Sequence, residues 1–185
     1  MKCYSCDGYI LKPVKLDYGL PARECDRCHG LHIDLLTYRS WRESNQEAIE
    51  HLDLSEEVFP SDNQKTLLCQ RCGKIMLKYR ISGETDNYID ICSHCDDAWL
   101  DDGEWDLLKQ LHLLGKLPEI SSEPWQRSIR QASADHNLTE KYTRLLGETE
   151  FARLQETGSW IAAHPQRREI LAFLTRKVYE KDQQG

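Results

Sequence analysis

The apolar positions change rhythm along this chain. Residues 75 to 81 and 88 to 91 are rich in β-branched and aromatic side chains, and between them lies Ser82-Gly83-Glu84-Thr85-Asp86-Asn87. That pattern predicts a β-hairpin. Earlier, Val14 and Leu16 fit a strand, with Pro13 and Pro21 confining their strands to edges or bulges. Trp105, Leu108, Leu111 and Leu114 recur at helical spacing, with stop signals at Gly115 and Pro118. Beyond residue 118 the pattern is helical throughout. Ser122 with Pro124 opens a helix carrying Trp125 and Ile129, and Asn137 with Glu140 opens another carrying Tyr142, Leu145 and Leu146. Residues 148 to 157 form a segment with Phe151 and Leu154 that stops at Gly158, and His164-Pro165 opens a last helix with Ile170, Leu174 and Val178 on one face.

Cap chemistry places further helix starts. Asp101-Asp102-Gly103-Glu104 has the form of a capping box, with Asp101 at the N-cap and Glu104 at N3. Residues 34 to 41 read as a short helix, Ser44-Asn45-Gln46-Glu47 as a second box opening a helix with Ile49 and Leu52, and residues 55 to 64 as a linker. Trp99, just ahead of the box, is expected to pack its helix against the preceding hairpin.

The cysteines give the first chemistry. All eight fall in C-x-x-C pairs: Cys3/Cys6, Cys25/Cys28, Cys69/Cys72 and Cys92/Cys95. Paired C-x-x-C in a reducing compartment indicates metal rather than disulfides. Eighteen residues separate Cys6 from Cys25, nineteen separate Cys72 from Cys92, and forty separate Cys28 from Cys69. Sequential pairing therefore gives two short, similar loops and two four-thiolate sites: Cys3, Cys6, Cys25, Cys28, and Cys69, Cys72, Cys92, Cys95. Zn2+ is the expected ion, one per site, although tetrahedral S4 also suits iron in a rubredoxin-like centre.

Superimposing the cysteines suggests an internal repeat of about 67 residues. Ile10-Leu11-Lys12 falls on Met76-Leu77-Lys78, His32 on Trp99 and Asp34 on Asp101. Each half reads as a zinc ribbon too small to fold without its ion.

The stretch Cys92-Ser-His-Cys95-Asp-Asp-Ala-Trp99-Leu100-Asp101-Asp102-Gly103-Glu104 resembles the bacterial zinc-finger family described as transcription-factor-IIB-like, whose pattern is C-x-x-C, a hairpin, then C-x-x-C-x-G-x-W-L-D-x-G-E. The resemblance covers roughly residues 1 to 42 and 67 to 112. Asp97 stands where the family tends to have glycine, and CYSC and CQRC lack the proline common after the first cysteine. The first half keeps Gly30 but has His32-Ile33-Asp34 in place of Trp-Leu-Asp. The resemblance implies a zinc-binding module and carries little about partner or process.

Charge narrows the partner. The formal net charge is −7, and two Zn2+ each held by four thiolates take it to −11. That disfavours a simple nucleic-acid binder, although residues 151 to 185 hold six basic against four acidic residues, with Arg167, Arg168, Arg176 and Lys177 near Trp160 and Tyr179. No apolar run is long enough to span a bilayer, and Cys3 and Cys6 occupy the place of a signal segment's apolar stretch, so no membrane and a cytoplasmic location are expected. No residue set has catalytic spacing, and a four-thiolate site leaves no position for activating water. His29, His32 and His94 lie beside the knuckles as outer or surface groups.

The expected architecture is α+β: a first, divergent ribbon over 1–42, a helix and linker over 43–66, a second ribbon with its helix over 67–117, and a helical C-terminal region over 118–185. The expected function is non-catalytic macromolecular interaction with a protein partner. Nucleic-acid or transcription-associated binding through the basic last helix is one alternative, and metal-thiolate redox chemistry another.

Overall fold

The computed structural model describes residues 1–52, 60–61 and 64–182, the side chains of 178–182 excepted. Most of the expected linker over 55–64, and Val178 and Tyr179 as side chains, lie outside the described residues. The chain forms six short strands: β1 (Lys12–Lys15), β2 (Pro21–Glu24), β3 (Leu31–Asp34), β4 (Leu77–Arg80), β5 (Tyr88–Cys92) and β6 (Asp97–Leu100); the expected hairpin is β4 with β5. Pro13 sits on the edge strand β1 and Pro21 is the first residue of β2, places where a missing N–H is tolerated.

Each half contributes three strands rather than the single hairpin read from sequence, and all six join one antiparallel sheet in the order β1-β2-β3-β6-β5-β4. The expectation of two tandem ribbons, each built on one short hairpin, is corrected accordingly. The third strand of each half is the segment just after the second C-x-x-C, and β3 pairs with β6: Leu31 opposite Leu100, His32 opposite Trp99, Ile33 opposite Ala98 and Asp34 opposite Asp97. A short strand ending in unpaired backbone groups finds in the other half a partner of the same length.

The halves share their registers. Lys12 lies opposite Glu24 as Leu77 lies opposite Ile91, and Arg23 opposite His32 as Asp90 opposite Trp99. The first knuckles differ by one residue. Gly8, two positions after Cys6, and Gly73, one position after Cys72, both turn at positive φ (80° and 72°). Hence Ile10, bridged to Lys2, corresponds to Ile75, bridged to Leu68, and buried Leu11 to buried Met76. Ile10 therefore falls on Ile75 and not on Met76 as the cysteine spacing predicts, because the extra residue lies before the strand.

Alternation along β3 and β6 divides the sheet's faces. Leu31, Ile33, Ala98 and Leu100 join Ile89 and Ile91 in a core covered by α1 (Leu35–Ser44) and α3 (Glu104–Gln110), with Tyr38, Trp41, Trp105 and Leu108 buried among them. His32, Asp97 and Trp99 must then face the other way. Trp99 is 0% exposed in a second cluster with Tyr4, Leu11, Leu67, Met76 and the buried cysteines of both halves. Its expected role of packing ribbon against helix is overturned, since residues 98 and 100 already occupy the helix face.

Two expected capping boxes are also corrected. Asp34 caps α1, its Oδ1 accepting from Thr37 N at 2.8 Å, and the helix runs on through Ser44. Ser44 is thus inside α1, where its hydroxyl donates to Ser40 O, and the short α2 (Gln46–Glu50) follows Asn45 without a side-chain cap. At α3 the N-cap is Gly103 (φ 81°). Glu104 still reaches back to accept from Asp101 N at 2.8 Å, but the Asp101 carboxylate is taken by Trp99 Nε1 at 2.9 Å.

After α4 (Leu117–Ile120), α5 (Glu123–Leu146) begins where Ser122 predicts, with Ser122 Oγ accepting from Trp125 N at 3.4 Å. It continues through Asn137, and α6 (Glu148–Ala163) continues through Gly158, so Asn137 opens no helix and Gly158 ends none. Both are weak formers at a cost of about 1 kcal/mol or less, which the surrounding good formers carry. α7 (Arg167–Asp182) follows the turn at Pro165. The chain divides into two compact units, Met1–Ser133 and Ala134–Gly185.

Candidate metal centres

The spacing of the cysteines becomes geometry through four tight turns. In the first C-x-x-C of each half, backbone N–H groups point at sulfur: Cys6 N donates to Cys3 Sγ at 3.2 Å and Arg71 N to Cys69 Sγ at 3.4 Å. Backbone bonds close the loops, from Cys3 N to Tyr9 O and from Cys69 N to Lys74 O, both at 2.8 Å. In the second pair of each half the turn ends at His29 (φ 53°) or Asp96 (φ 54°), each donating its N–H to the first cysteine's carbonyl. These four turns aim eight side chains inward.

The result is two quartets, Cys3, Cys6, Cys25, Cys28 and Cys69, Cys72, Cys92, Cys95, with the four sulfurs of each within 4.8 Å of one another. These are the groups expected from sequence. The first cysteine of each pair is buried and the second half-buried. Cys3 and Cys28 sulfurs are 3.6 Å apart, as are those of Cys72 and Cys92. A tetrahedron of sulfurs about 2.3 Å from a central ion has edges of about 3.8 Å, so the spacing fits a coordinated metal, whereas a disulfide would require about 2.05 Å.

Electrostatics agree with that fit. Burial opposes the Cys25 thiolate, but the N–H groups of Cys28 and Arg27 prevail and lower its pKa; the N–H of Lys74 brings Cys72 down to about 7. Burial and the neighbouring thiols push Cys95 up to about 12, and burial raises Cys3, Cys28 and Cys69. In each quartet one thiolate is thus favoured and two are opposed. A dication at the centre supplies the missing positive charge.

Sequence reasoning missed what lies between the quartets. Asp97 is buried; its Oδ1 accepts from His32 Nε2 at 3.0 Å and forms an ion pair with Arg71 Nη2 at 2.9 Å, while its other oxygen lies 3.6 Å from Cys69 Sγ. Arg71, inside the Cys69/Cys72 knuckle, also reaches Asp34 at 3.4 Å. It neutralises two aspartates that face each other across the β3/β6 seam, where like charges alone would destabilise. Tyr4, inside the Cys3/Cys6 knuckle, stacks on His32 at 5.7 Å and on Trp99 at 5.0 Å. Burial lowers the pKa of His32 despite Asp97, favouring the neutral ring. The one available signal was Asp97 in place of the family's glycine, and it has no reading until His32 is known to lie beside it.

The remaining acidic residues of this stretch have separate partners. Asp96 pairs with Arg39 at 3.1 Å, and the Asp102 carbonyl accepts from Ser61 N at 2.9 Å. His29 is exposed and pairs with Glu24 at 3.0 Å, and His94 is exposed; neither belongs to a quartet.

No family model, no curated protein and no solved structure matches the chain. Among the described residues, no helix is long and apolar enough to cross a membrane.

Proposed function

We propose that this chain is a non-catalytic zinc protein of the transcription-factor-IIB-like zinc-ribbon kind, in which two closed Zn2+ sites hold one sheet together and the assembled surface binds another protein. The observation that carries the reading is the pair of complete sulfur quartets, each within 4.8 Å and supplied wholly by C-x-x-C turns. Four thiolates fill a tetrahedral ion's coordination, so the metal's role is structural. Cys3, Cys6, Cys25 and Cys28 hold the first ion, and Cys69, Cys72, Cys92 and Cys95 the second. A net charge of −7, made more negative by the tetrathiolate sites, supports a protein partner over phosphate backbones. Burial of Trp99 removes it as a base-stacking surface.

Metal analysis of protein purified without added zinc tests the first half: two redox-silent zinc ions per chain are expected, and iron or cycling thiolates would overturn it. Affinity purification at endogenous level, with oligonucleotide binding at low salt in parallel, tests the second. Recovery of nucleic acid and no protein would reverse the choice of partner.

A further inference from the structure

The unit Ala134–Gly185 contains the end of α5 with α6 and α7, and among its described residues Ile161 alone is buried. Leu154 and Trp160 on α6 are 48% and 56% exposed, and Leu171, Phe173 and Leu174 on α7 are 51%, 60% and 41% exposed. Helices of this length draw their stability from a buried apolar face rather than from propensity. One buried isoleucine does not supply it.

α7 folds back along α6, since Thr157 and Trp160 line one open groove with Ile170, Phe173 and Leu174. The two helices have the same length, 16 residues, and opposite charge: α6 holds three glutamates against one arginine, α7 five basic against three acidic residues. In an antiparallel hairpin, Glu150 and Glu156 stand level with the half of α7 that carries Arg176 and Lys177. A second hairpin related by a two-fold axis along the helices sets each α6 against the other's α7. Acidic then meets basic at both contacts, and the groove-lining Trp160, Phe173 and Leu174 face the middle.

We infer that the occupant of this groove is a second copy of the chain, and that two α6/α7 hairpins form an antiparallel four-helix bundle. This assigns a surface and an occupant to the interaction-module reading and rests on it. The test is sedimentation velocity of the full, metal-loaded chain at tens of micromolar, with metal content measured on the same samples. The expected mass is twice the chain's 21.6 kDa. Phe173→Glu and Trp160→Glu should each yield the single-chain mass with both metals retained. Glu156→Lys and Arg176→Glu should each weaken the dimer at low salt, and the double reversal should recover it, which loss of folding would not produce. A wild-type chain of single mass carrying two metals overturns the dimer and leaves the zinc-module reading standing. A dimer unaffected by all of these changes overturns the surface. Absence of metal strikes the zinc reading instead.

Discussion

His32 and Trp99 stand directly opposite one another in the β3/β6 seam, and they are also the positions that correspond between the two halves of the chain. The local two-fold relation of the sheet therefore passes through a pair that is no longer alike. Each ring has its own accommodation. A Cβ on Gly30 would lie 2.1 Å from Trp99 Cζ2, so the glycine clears space for the indole. At the corresponding place in the other half, Asp97 fills space beside the smaller His32 and hydrogen-bonds to it. Gly30 with Trp99 and Asp97 with His32 are two solutions to one packing problem.

Gly30→Ala should therefore destabilise the sheet by overpacking, by about 1–3 kcal/mol. Chemical denaturation of the metal-loaded protein checks this. Combined with Trp99→Leu, which removes the ring that clashes, the alanine should cost less than it does alone; strict additivity would place the strain elsewhere.

Arg71→Met should cost more than an ordinary surface substitution, although the side chain is 46% exposed. It leaves Asp34 and Asp97 facing each other across the seam without their cation, and Asp97 is buried. Loss of a partner from a buried polar group costs about 1–3 kcal/mol or more. Replacing Asp97 by Asn in the same chain should recover part of the loss, measured as a double-mutant cycle.

The two metal sites should not load independently. β3 follows the first quartet and β6 the second, and Tyr4, Arg71, Asp97 and Trp99 connect them through the seam. Structural zinc is worth about 10–16 kcal/mol in small domains, so loss of one ion leaves its half unable to hold its strand of the seam. Cys25→Ser with Cys28→Ser should lower affinity at the intact second site by at least tenfold, read by competition with a chromophoric chelator. Unchanged affinity would show two autonomous ribbons.

Asp34 offers a pH test. Burial works against its charge, but the Thr37 N–H and Arg71 hold its pKa below the usual carboxylate value. Its charge therefore contributes stability that is present above the unfolded pKa of about 3.9 and lost as pH falls through the lower folded value. Asp34→Asn keeps a competent cap but loses the charge, and Asp34→Ala loses both, a further loss of about 0.5–2 kcal/mol of capping. Both should fall below the wild type near neutrality, and the deficits should stay level down to about pH 5, because Asp34 titrates below the unfolded carboxylate value whereas thiolate protonation and metal release set in first. Unfolding midpoints of the metal-loaded proteins from about pH 5 to 8 check this.

The cysteine quartets, the β4/β5 hairpin and the Asp34 and Ser122 helix starts were legible in the residues, because each depends on partners a few positions apart or on a ligand count that closes. Local competition hid other features: Ser44 and Asn137 have cap chemistry, yet one is the last residue of α1 and the other lies inside α5. The fate of Asp101 depended on a tryptophan whose direction was unknown. The chain's spacing settled which sulfurs could share an ion. The fold alone settled that β3 meets β6, that Trp99 turns from the helices toward the metal sites, and that Asp97 answers His32. Ligand turns are closed by short loops at small entropic cost, whereas a seam between segments 66 residues apart is chosen by register, face and fit at once, and no local pattern encodes that choice.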